Sequence, residues 1–243
     1  MDGPMAAVLG IMFLSALIRG LTGFGNALVA MPLLALVIPV RTATPVVALA
    51  ATFMATIMLW KSWREVDVRS ASTLLAAAVL GTPLGLFFLK GAHEALVQVV
   101  LALVIALFSA YSLIRPRHRE ISGWGWAVVA GFSAGVLGGA YNTNGPPVVI
   151  YGDLRGWPPD RFRATLQGFF LPIGLVIIAG HYLAGLWTRD TFRYTVAALP
   201  CLLAGLAASS YLAPRIPGRQ FRAIVHGFLL LCSAVLLVKA FTR

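Results

Sequence analysis

Apolar residues recur along this chain in runs that are long enough to cross a bilayer as helices. Residues 46–60, 74–89, 96–114 and 221–241 form four of these runs. An α-helix rises about 1.5 Å per residue, so about 20 mainly apolar residues span the hydrocarbon core. Lipid cannot pair exposed backbone N–H and C=O groups. The pattern therefore predicts an all-α polytopic membrane protein.

The two halves of the chain divide in the same way, each with a broken pair of helices followed by three longer helices. In the first half the predicted elements are residues 5–18, 27–38, 44–60, 70–89 and 94–114. In the second half they are residues 124–139, a short element that ends near Tyr151, and then 162–183, 191–212 and 220–241. We expect each half to be one structural repeat.

Two glycine-rich interruptions break this pattern at corresponding places. The first reads Gly20-Leu-Thr-Gly23-Phe24-Gly25-Asn26 and continues to Pro32. The second lies 115 positions later, between Gly135 and Pro147, and contains Tyr141-Asn142-Thr143-Asn144-Gly145-Pro146. Pro32, Pro146 and Pro147 each lack a backbone donor and disfavour helix in the preceding residue. Interrupted segments at matching places indicate a transporter whose binding site lies where the broken helices meet.

The number of crossings predicts the relative orientation of the halves. Each half crosses the membrane five times if the broken pair spans it fully, and three times if the pair is re-entrant. Both counts are odd, so the repeats are expected to be inverted, which places a site near the bilayer midplane. The predicted boundaries are residues 1–115 for the first repeat, 116–123 for a cytoplasmic linker and 124–243 for the second repeat.

Charge predicts which face is cytoplasmic. Only 11% of the residues are charged, against roughly 25% in soluble domains. The net charge is +11, and twelve of the nineteen Lys and Arg residues fall in four loops on one predicted face. Positively charged loops mark the cytoplasmic side, so the excess charge needs no nucleic-acid partner. We expect a multi-pass protein of a bacterial-type inner membrane with both termini outside.

The breaks are the candidate binding site. An opened helix exposes an N-terminus with unpaired N–H groups and about half a positive charge, which attracts anions. Glycines allow the backbone to approach a ligand closely, and amide or hydroxyl groups donate to an oxyanion while remaining neutral. The candidate substrate-binding residues at the breaks are Thr22, Gly23, Gly25, Asn26, Gly138, Gly139, Tyr141, Asn142, Thr143, Asn144 and Gly145. The alternatives are that the glycines only pack helices, that the asparagines only cap them, and that Tyr141 only fills the cavity.

Two further polar residues complete the candidate site. Arg19 lies deep in the first apolar segment, where an ionisable residue is a functional candidate by default. The alternative is that its side chain extends to the membrane surface. Gln167 is an uncharged polar residue just inside a predicted span and is expected to face the cavity.

The acidic residues argue against several other functions. All eight lie in loops or near helix ends. A cation carrier or a carboxylate proton relay would need a carboxylate inside a span. Neither a zinc-protease motif nor a nucleotide-binding motif is present in the sequence. The sequence thus predicts no enzyme, no catalytic residue, no metal and no cofactor.

The motifs at both breaks resemble the signatures of the TauE/SafE family of sulfite and organosulfonate exporters. The first resemblance rests on residues 20–25 and on Met31-Pro32. The second rests on Gly135, Gly138-Gly139, residues 145–149, Tyr151 and residues 161–165. The resemblance covers nearly the whole chain and implies an all-helical inner-membrane carrier of small sulfur-containing anions. Many relatives have Gly or small apolar residues where this chain has Asn142, Thr143 and Asn144, a difference that bears on the substrate head group.

We therefore predict a secondary transporter, in the direction of export, for a small sulfur oxyanion such as sulfite, sulfoacetate or another organosulfonate. Alternating access would move the anion between the two broken-helix termini. The expected partners are this anion and the lipid bilayer, with proton or ion coupling and a homodimer left open. A passive small-anion channel and a non-transporting membrane scaffold subunit are the alternatives.

Overall fold

A computed structural model of the chain describes residues 3–114, 121, 123–215 and 218–241. The described part is entirely helical apart from short connections and contains no strand, as the hydropathy pattern predicts. Six of its helices are long and apolar enough to cross a membrane. The predicted linker at residues 116–123 lies almost wholly outside the described residues.

Ten α-helices follow one another along the described chain, and their bounds agree with the predicted elements to within a few residues. The first half contains α1 (Gly3–Thr22), α2 (Asn26–Val37), α3 (Val40–Ser62), α4 (Val68–Gly91) and α5 (Glu94–Ile114). The second half contains α6 (Trp124–Tyr141), α7 (Gly145–Leu154), α8 (Pro159–Leu183), α9 (Arg189–Leu212) and α10 (Gly218–Phe241).

Both predicted breaks are present, but they are shorter than the sequence suggests. Each consists of three residues, 23–25 in the first half and 142–144 in the second. The prolines lie in helices and not in these breaks. Pro32 lies inside α2, and Pro146 lies in the first turn of α7, where an absent N–H costs nothing because it would have no helical partner.

The second broken pair is a re-entrant hairpin. The N–H of Ile121, before α6, donates to the carbonyl of Leu154 at the end of α7 at 3.0 Å. The guanidinium of Arg155 also donates to the Ile121 carbonyl, at 3.2 Å. The chain therefore leaves and returns on the same face. In the first pair, α2 has 12 residues, about 18 Å of helix, and is too short to span the hydrocarbon core.

Glycine faces join the two halves. In the contact between α4 and α6, a Cβ added at Gly85 would overlap the carbonyl oxygen of Val136, and one at Gly135 would overlap that of Ala78. Small residues allow helix backbones to approach this closely in membranes. In the contact between α1 and α9, a Cβ added at Gly205 would lie 2.6 Å from the carbonyl oxygen of Phe13. The helices run in the same direction within each of these pairs.

The ends of the helices repeat between the two halves at a different sequence spacing from the glycines. Thr22 and Tyr141, which end α1 and α6, are 119 positions apart, as are the first residues of α2 and α7 and those of α3 and α8. The glycines repeat at 115 positions, so their spacing differs from that of the helix ends by about one helical turn. The reason is that Gly20 and Gly135, which define the glycine spacing, pack against α9 and α4 and do not lie in the breaks.

Two of the four loops that the charge pattern assigns to one face lie next to each other, the loop before α4 and the loop before α8. Arg161, in the first turn of α8, forms an ion pair at 2.8 Å with Asp67, the N-cap of α4. Burial alone would raise the pKa of Asp67, but hydrogen bonds from Ser70 and the charge of Arg161 outweigh it and lower the pKa below its ordinary value. On the opposite face, Arg41 donates to the carbonyls of Leu89 and Lys90 at the end of α4.

Candidate functional site

Unusual backbone conformations form the two breaks. Gly25, the N-cap of α2, has φ 91°, and Gly23 has φ 84°. Glycine adopts such angles without the steric cost that a Cβ would add. Asn142 has φ 53° and is the non-glycine residue with positive φ in the described chain. Gly23 and Asn142 are also 119 positions apart, so the same left-handed turn opens both helices.

The N-termini of α2 and α7 meet at one small cavity inside the protein. Seven of the predicted site residues line it: Arg19, Gly25, Asn26, Asn142, Thr143, Asn144 and Gly145. Its volume is about 20 Å³, which is enough for about one water molecule. An oxyanion with a central sulfur atom is larger, so the cavity must expand before such an anion binds.

Arg19 is the central polar group of this site. Its side chain is 1% exposed, so the alternative in which it extends to the membrane surface does not describe this structure. One terminal nitrogen, Nη1, donates to Asn26 Oδ1 at 2.6 Å, and the other, Nη2, donates to Gln167 Oε1 at 2.7 Å. The guanidinium also lies 5.4 Å from the centre of the Phe170 ring.

The charge of Arg19 is not neutralised by an acid. Both of its side-chain acceptors are neutral amides, and no described carboxylate forms an ion pair with it. Its Nε–H has no hydrogen-bond partner among the described residues. Among the described residues that line the cavity, Arg19 alone is charged. A buried cation without a counter-charge is costly, and an anion in the cavity would relieve that cost.

The asparagines do not cap the helices through their side chains. Asn144 is the N-cap residue of α7, yet its side chain makes no capping hydrogen bond. Gly25 occupies the corresponding position before α2 and has no side chain to offer. No side chain caps the first N–H groups of α2 or the N–H of Gly145 in α7, where Pro146 and Pro147 have no N–H to offer.

The other predicted site residues lie around the cavity without lining it. The Thr22 hydroxyl bonds within its own turn, donating to the carbonyl of Ile18 or that of Phe24. Gly138 lies against Ile177, and Gly139 packs against the backbone of α4. The Tyr141 ring is fully buried against Phe88, and its hydroxyl has no hydrogen-bond partner among the described residues.

Six residues that the sequence analysis did not select complete the cavity wall, and most of them are apolar. They are Ala27, Leu28, Ala51, Thr52, Phe170 and Gly174. The spacing of Gln167, Phe170 and Gly174 at i, i+3 and i+7 on one helix face is a signal that would have found two of them. Nothing in the sequence distinguishes Ala51 and Thr52 from the other small residues of α3.

A larger cavity of about 300 Å³ lies beside the small one and opens at the end of α3 and the start of α8. We call it the vestibule. Charged groups of both signs line it, among them Lys61, Glu65, Asp160 and Arg163, and Gln167 contributes to its wall. Gln167 therefore faces the vestibule while it bonds Arg19, which lines the small cavity.

Comparison with known proteins gives one match. The sequence model described as "Sulfite exporter TauE/SafE" matches residues 8–236, almost the whole chain. No curated protein and no solved structure matches the chain. The family match includes both helix breaks, Arg19 and Gln167. The chain therefore belongs to the TauE/SafE family of sulfite exporters.

Proposed function

We propose that this protein is a secondary transporter that exports a small sulfur-containing oxyanion, such as sulfite or an organosulfonate, by alternating access. The anion binds between the N-termini of α2 and α7, where Arg19 supplies the counter-charge. Family membership supports transport of this substrate class. The assignment of individual residues rests on the geometry of the cavity.

The main support for the proposal is the buried, electrically uncompensated position of Arg19. A guanidinium that is 1% exposed and bonded only to neutral amide oxygens is positioned to bind an anion. Two helix N-termini and the amides of Asn26 and Asn142 face the same cavity. Each N-terminus contributes partial positive charge, and the site is shielded from water, so these interactions are stronger than they would be at a surface.

Inverted repeats are the architecture that we propose for the exchange between faces. The pairs of helices in contact follow the same pattern in both halves. Replacing each helix by its counterpart in the other half turns the pair α4–α6 into α9–α1. The same replacement leaves the pairs α3–α8 and α5–α10 unchanged. The helix at residues 40–62 runs antiparallel to its counterpart at 159–183, since the start of α8 contacts the residues that follow α3. This arrangement supports an alternating-access mechanism with a site near the midplane.

Transport by purified protein in proteoliposomes tests the proposal. We expect saturable uptake of labelled sulfite or sulfonate with counterflow in the wild type, and reduced uptake for Asn26→Ala and Asn142→Ala. Thr73→Ala is a matched control, because this exposed hydroxyl bonds only its own helix. Unchanged uptake in both asparagine variants would remove these residues from the site. Flux without saturation or counterflow would indicate a channel instead.

A stability screen gives a second, independent readout. A ligand that binds the folded state alone stabilises it by mass action. We expect sulfite, sulfonates or thiosulfate to raise the unfolding temperature of the wild type, and simple carboxylates to raise it less. If no small anion has an effect, the chain is better described as a scaffold subunit than as a carrier.

A further inference from the structure

Gln167 forms a bridge between two parts of the protein. Its Oε1 accepts a hydrogen bond from Arg19 Nη2 at 2.7 Å, and its Nε2 donates to the carbonyl of Gly23 at 2.6 Å. Arg19 and Gly23 belong to the end of α1 and the first break, whereas Gln167 belongs to α8. One amide side chain, 1% exposed, therefore ties α8 to the break between α1 and α2, which pack together as the first hairpin with this break at its tip.

This bridge lies where the vestibule comes nearest to the small cavity. Gln167 contributes to the vestibule wall, while Arg19, its partner, lines the cavity. Arg163, about one turn earlier on α8, lies against Gly23 so closely that an added Cβ would be 3.1 Å from its Cγ. The two cavities share no lining residue, and the bonded pair of Gln167 and Arg19 lies between them.

We propose that Gln167 is a gating residue, which closes the binding cavity from the vestibule by occupying a position on Arg19 that the transported anion takes. This inference rests on the proposed function, because it treats Arg19 as the anion ligand. It departs from the prediction that Gln167 is itself a substrate ligand.

The chemistry of Arg19 explains how an anion would open the gate. The two terminal nitrogens form a fork, and each arm bonds one neutral amide oxygen. Both kinds of bond have a charged donor, but only an anionic oxygen adds the attraction between opposite charges, which is strong in a buried site. An oxyanion that reaches Arg19 therefore displaces Gln167 Oε1 from Nη2. Gln167 then holds the hairpin tip through the Gly23 carbonyl alone, and α8 can separate from it.

Thiol accessibility tests the gate without any anion present. In a background with Cys201→Ala and Cys232→Ala, Ala51→Cys places a reporter thiol in the cavity wall. The rate of its reaction with methyl methanethiosulfonate, a small neutral reagent, is measured on purified protein in detergent. Each variant is first checked for a monodisperse, cooperatively unfolding state.

We expect Gln167→Ala and Gln167→Leu to speed this reaction about tenfold, because each removes two hydrogen bonds of modest net stability. The control Ser210→Ala lines the same vestibule, but its hydroxyl bonds the Leu206 carbonyl of its own helix, so it should leave the rate unchanged. A normal rate in Gln167→Ala overturns the proposal. A fast rate in Gln167→Ala with a normal rate in Gln167→Leu also overturns it, since closure would then depend on volume and not on the bridge.

Sulfite affinity, measured by thermal stabilisation, separates a gate from a ligand. A gating residue competes with the anion, so Gln167→Leu should bind sulfite as tightly as the wild type or more tightly. Affinity about tenfold weaker would make Gln167 a direct ligand and overturn the proposal. If sulfite stabilises neither protein, the proposed function fails, whereas the accessibility measurement still decides whether Gln167 closes the cavity.

Discussion

Arg19 and Asn26 are joined across the first helix break, with Arg19 Nη1 donating to Asn26 Oδ1 at 2.6 Å. The bond connects the last turn of α1 to the first residue of α2, so the unwound segment between them is held by a charged group. It also places a cation directly beside an exposed helix N-terminus, which itself attracts negative charge. Both the cation and the helix N-terminus attract negative charge, as the proposed anion site requires.

The Asn26→Asp substitution should separate stability from binding. It replaces the acceptor of Arg19 by a carboxylate of nearly the same shape, which would neutralise the buried guanidinium and interact favourably with the dipole at the start of α2. We expect a higher unfolding temperature without ligand and at least a tenfold loss of sulfite affinity, corresponding to about 1.4 kcal/mol.

Asn142→Asp is the matched comparison for that measurement. Asn142 lines the same cavity but forms no bond with Arg19 in this structure, so a carboxylate there would be buried without a direct cationic partner. This variant should lose sulfite affinity and also unfold at a lower temperature. Equal stability of the two aspartate variants would contradict the assigned role of the Arg19–Asn26 bond.

Arg19→Lys should weaken anion binding although it keeps the positive charge. Lysine cannot reproduce the two-armed fork of arginine, so it cannot hold Asn26 and an anion in the same geometry. Hydrogen bonds to charged groups contribute about 1.5–3 kcal/mol, so we expect affinity to fall between tenfold and a hundredfold. Titration of labelled sulfite onto purified protein measures this change. Arg161→Lys, at a half-exposed surface pair, is the control and should bind normally.

Gly85→Ala should destabilise the contact between α4 and α6. The added methyl group would overlap the Val136 carbonyl, which is backbone and cannot rotate away. Overpacking of this kind costs about 1–3 kcal/mol. The control is Gly10→Ala, because a Cβ there has no atom within 4 Å and alanine favours helix. Thermal unfolding in detergent should show a lower midpoint for the first variant and an unchanged or higher one for the second.

Asp67→Ala should reduce stability in a pH-dependent way. Asp67 caps α4 by accepting from the N–H of Ser70 at 3.1 Å, and loss of a cap costs about 1 kcal/mol. Its pKa is lowered in the folded state, because Ser70 and Arg161 together outweigh the opposing effect of burial. The charged carboxylate therefore stabilises the fold above its ordinary pKa, and this contribution is lost as pH falls through the lowered value.

The measurement for Asp67 is the difference in unfolding midpoint between wild type and variant. We expect a clear difference at about pH 7 and a progressively smaller one as the pH falls below the ordinary pKa of aspartate and through the lowered value, where protonation removes the charge. Glu65→Gln, an exposed carboxylate close by in the chain, should show little difference at either pH. A difference for Asp67→Ala that persists unchanged into acid would mean that packing, and not charge, stabilises this helix start.

Most of the helical architecture could be predicted because lipid imposes a strong local constraint. A backbone without water must form helices, so the apolar runs alone gave α3, α4, α5, α8 and α9 to within a few residues. The breaks were found because glycine and polar amides are conspicuous in such runs. The length of the second break was overestimated, since proline is tolerated in the first turn of a helix, as at Pro146.

The site itself was only partly predictable. The sequence placed Asn26 and Asn144 beside exposed N-termini, because that follows from local chain geometry. It did not show that Gly138 and Gly139, neighbours in sequence, face different helices, or that Phe170 lies under the guanidinium. These outcomes depend on how α6 and α8 are rotated about their axes, and rotation is set by packing against other helices.

The sequence by itself determined that this chain is a helical membrane protein with two matched interruptions, because hydropathy and backbone chemistry act over a few neighbouring residues. Only the tertiary structure decided that Arg19 bonds Gln167, 148 positions away, and that this cation has no acidic partner among the described residues. Such a contact requires α8 to lie against the end of α1 and the first break. Local periodicity carries no information about that distance, so the gate and the charge of the site became visible only in the folded chain.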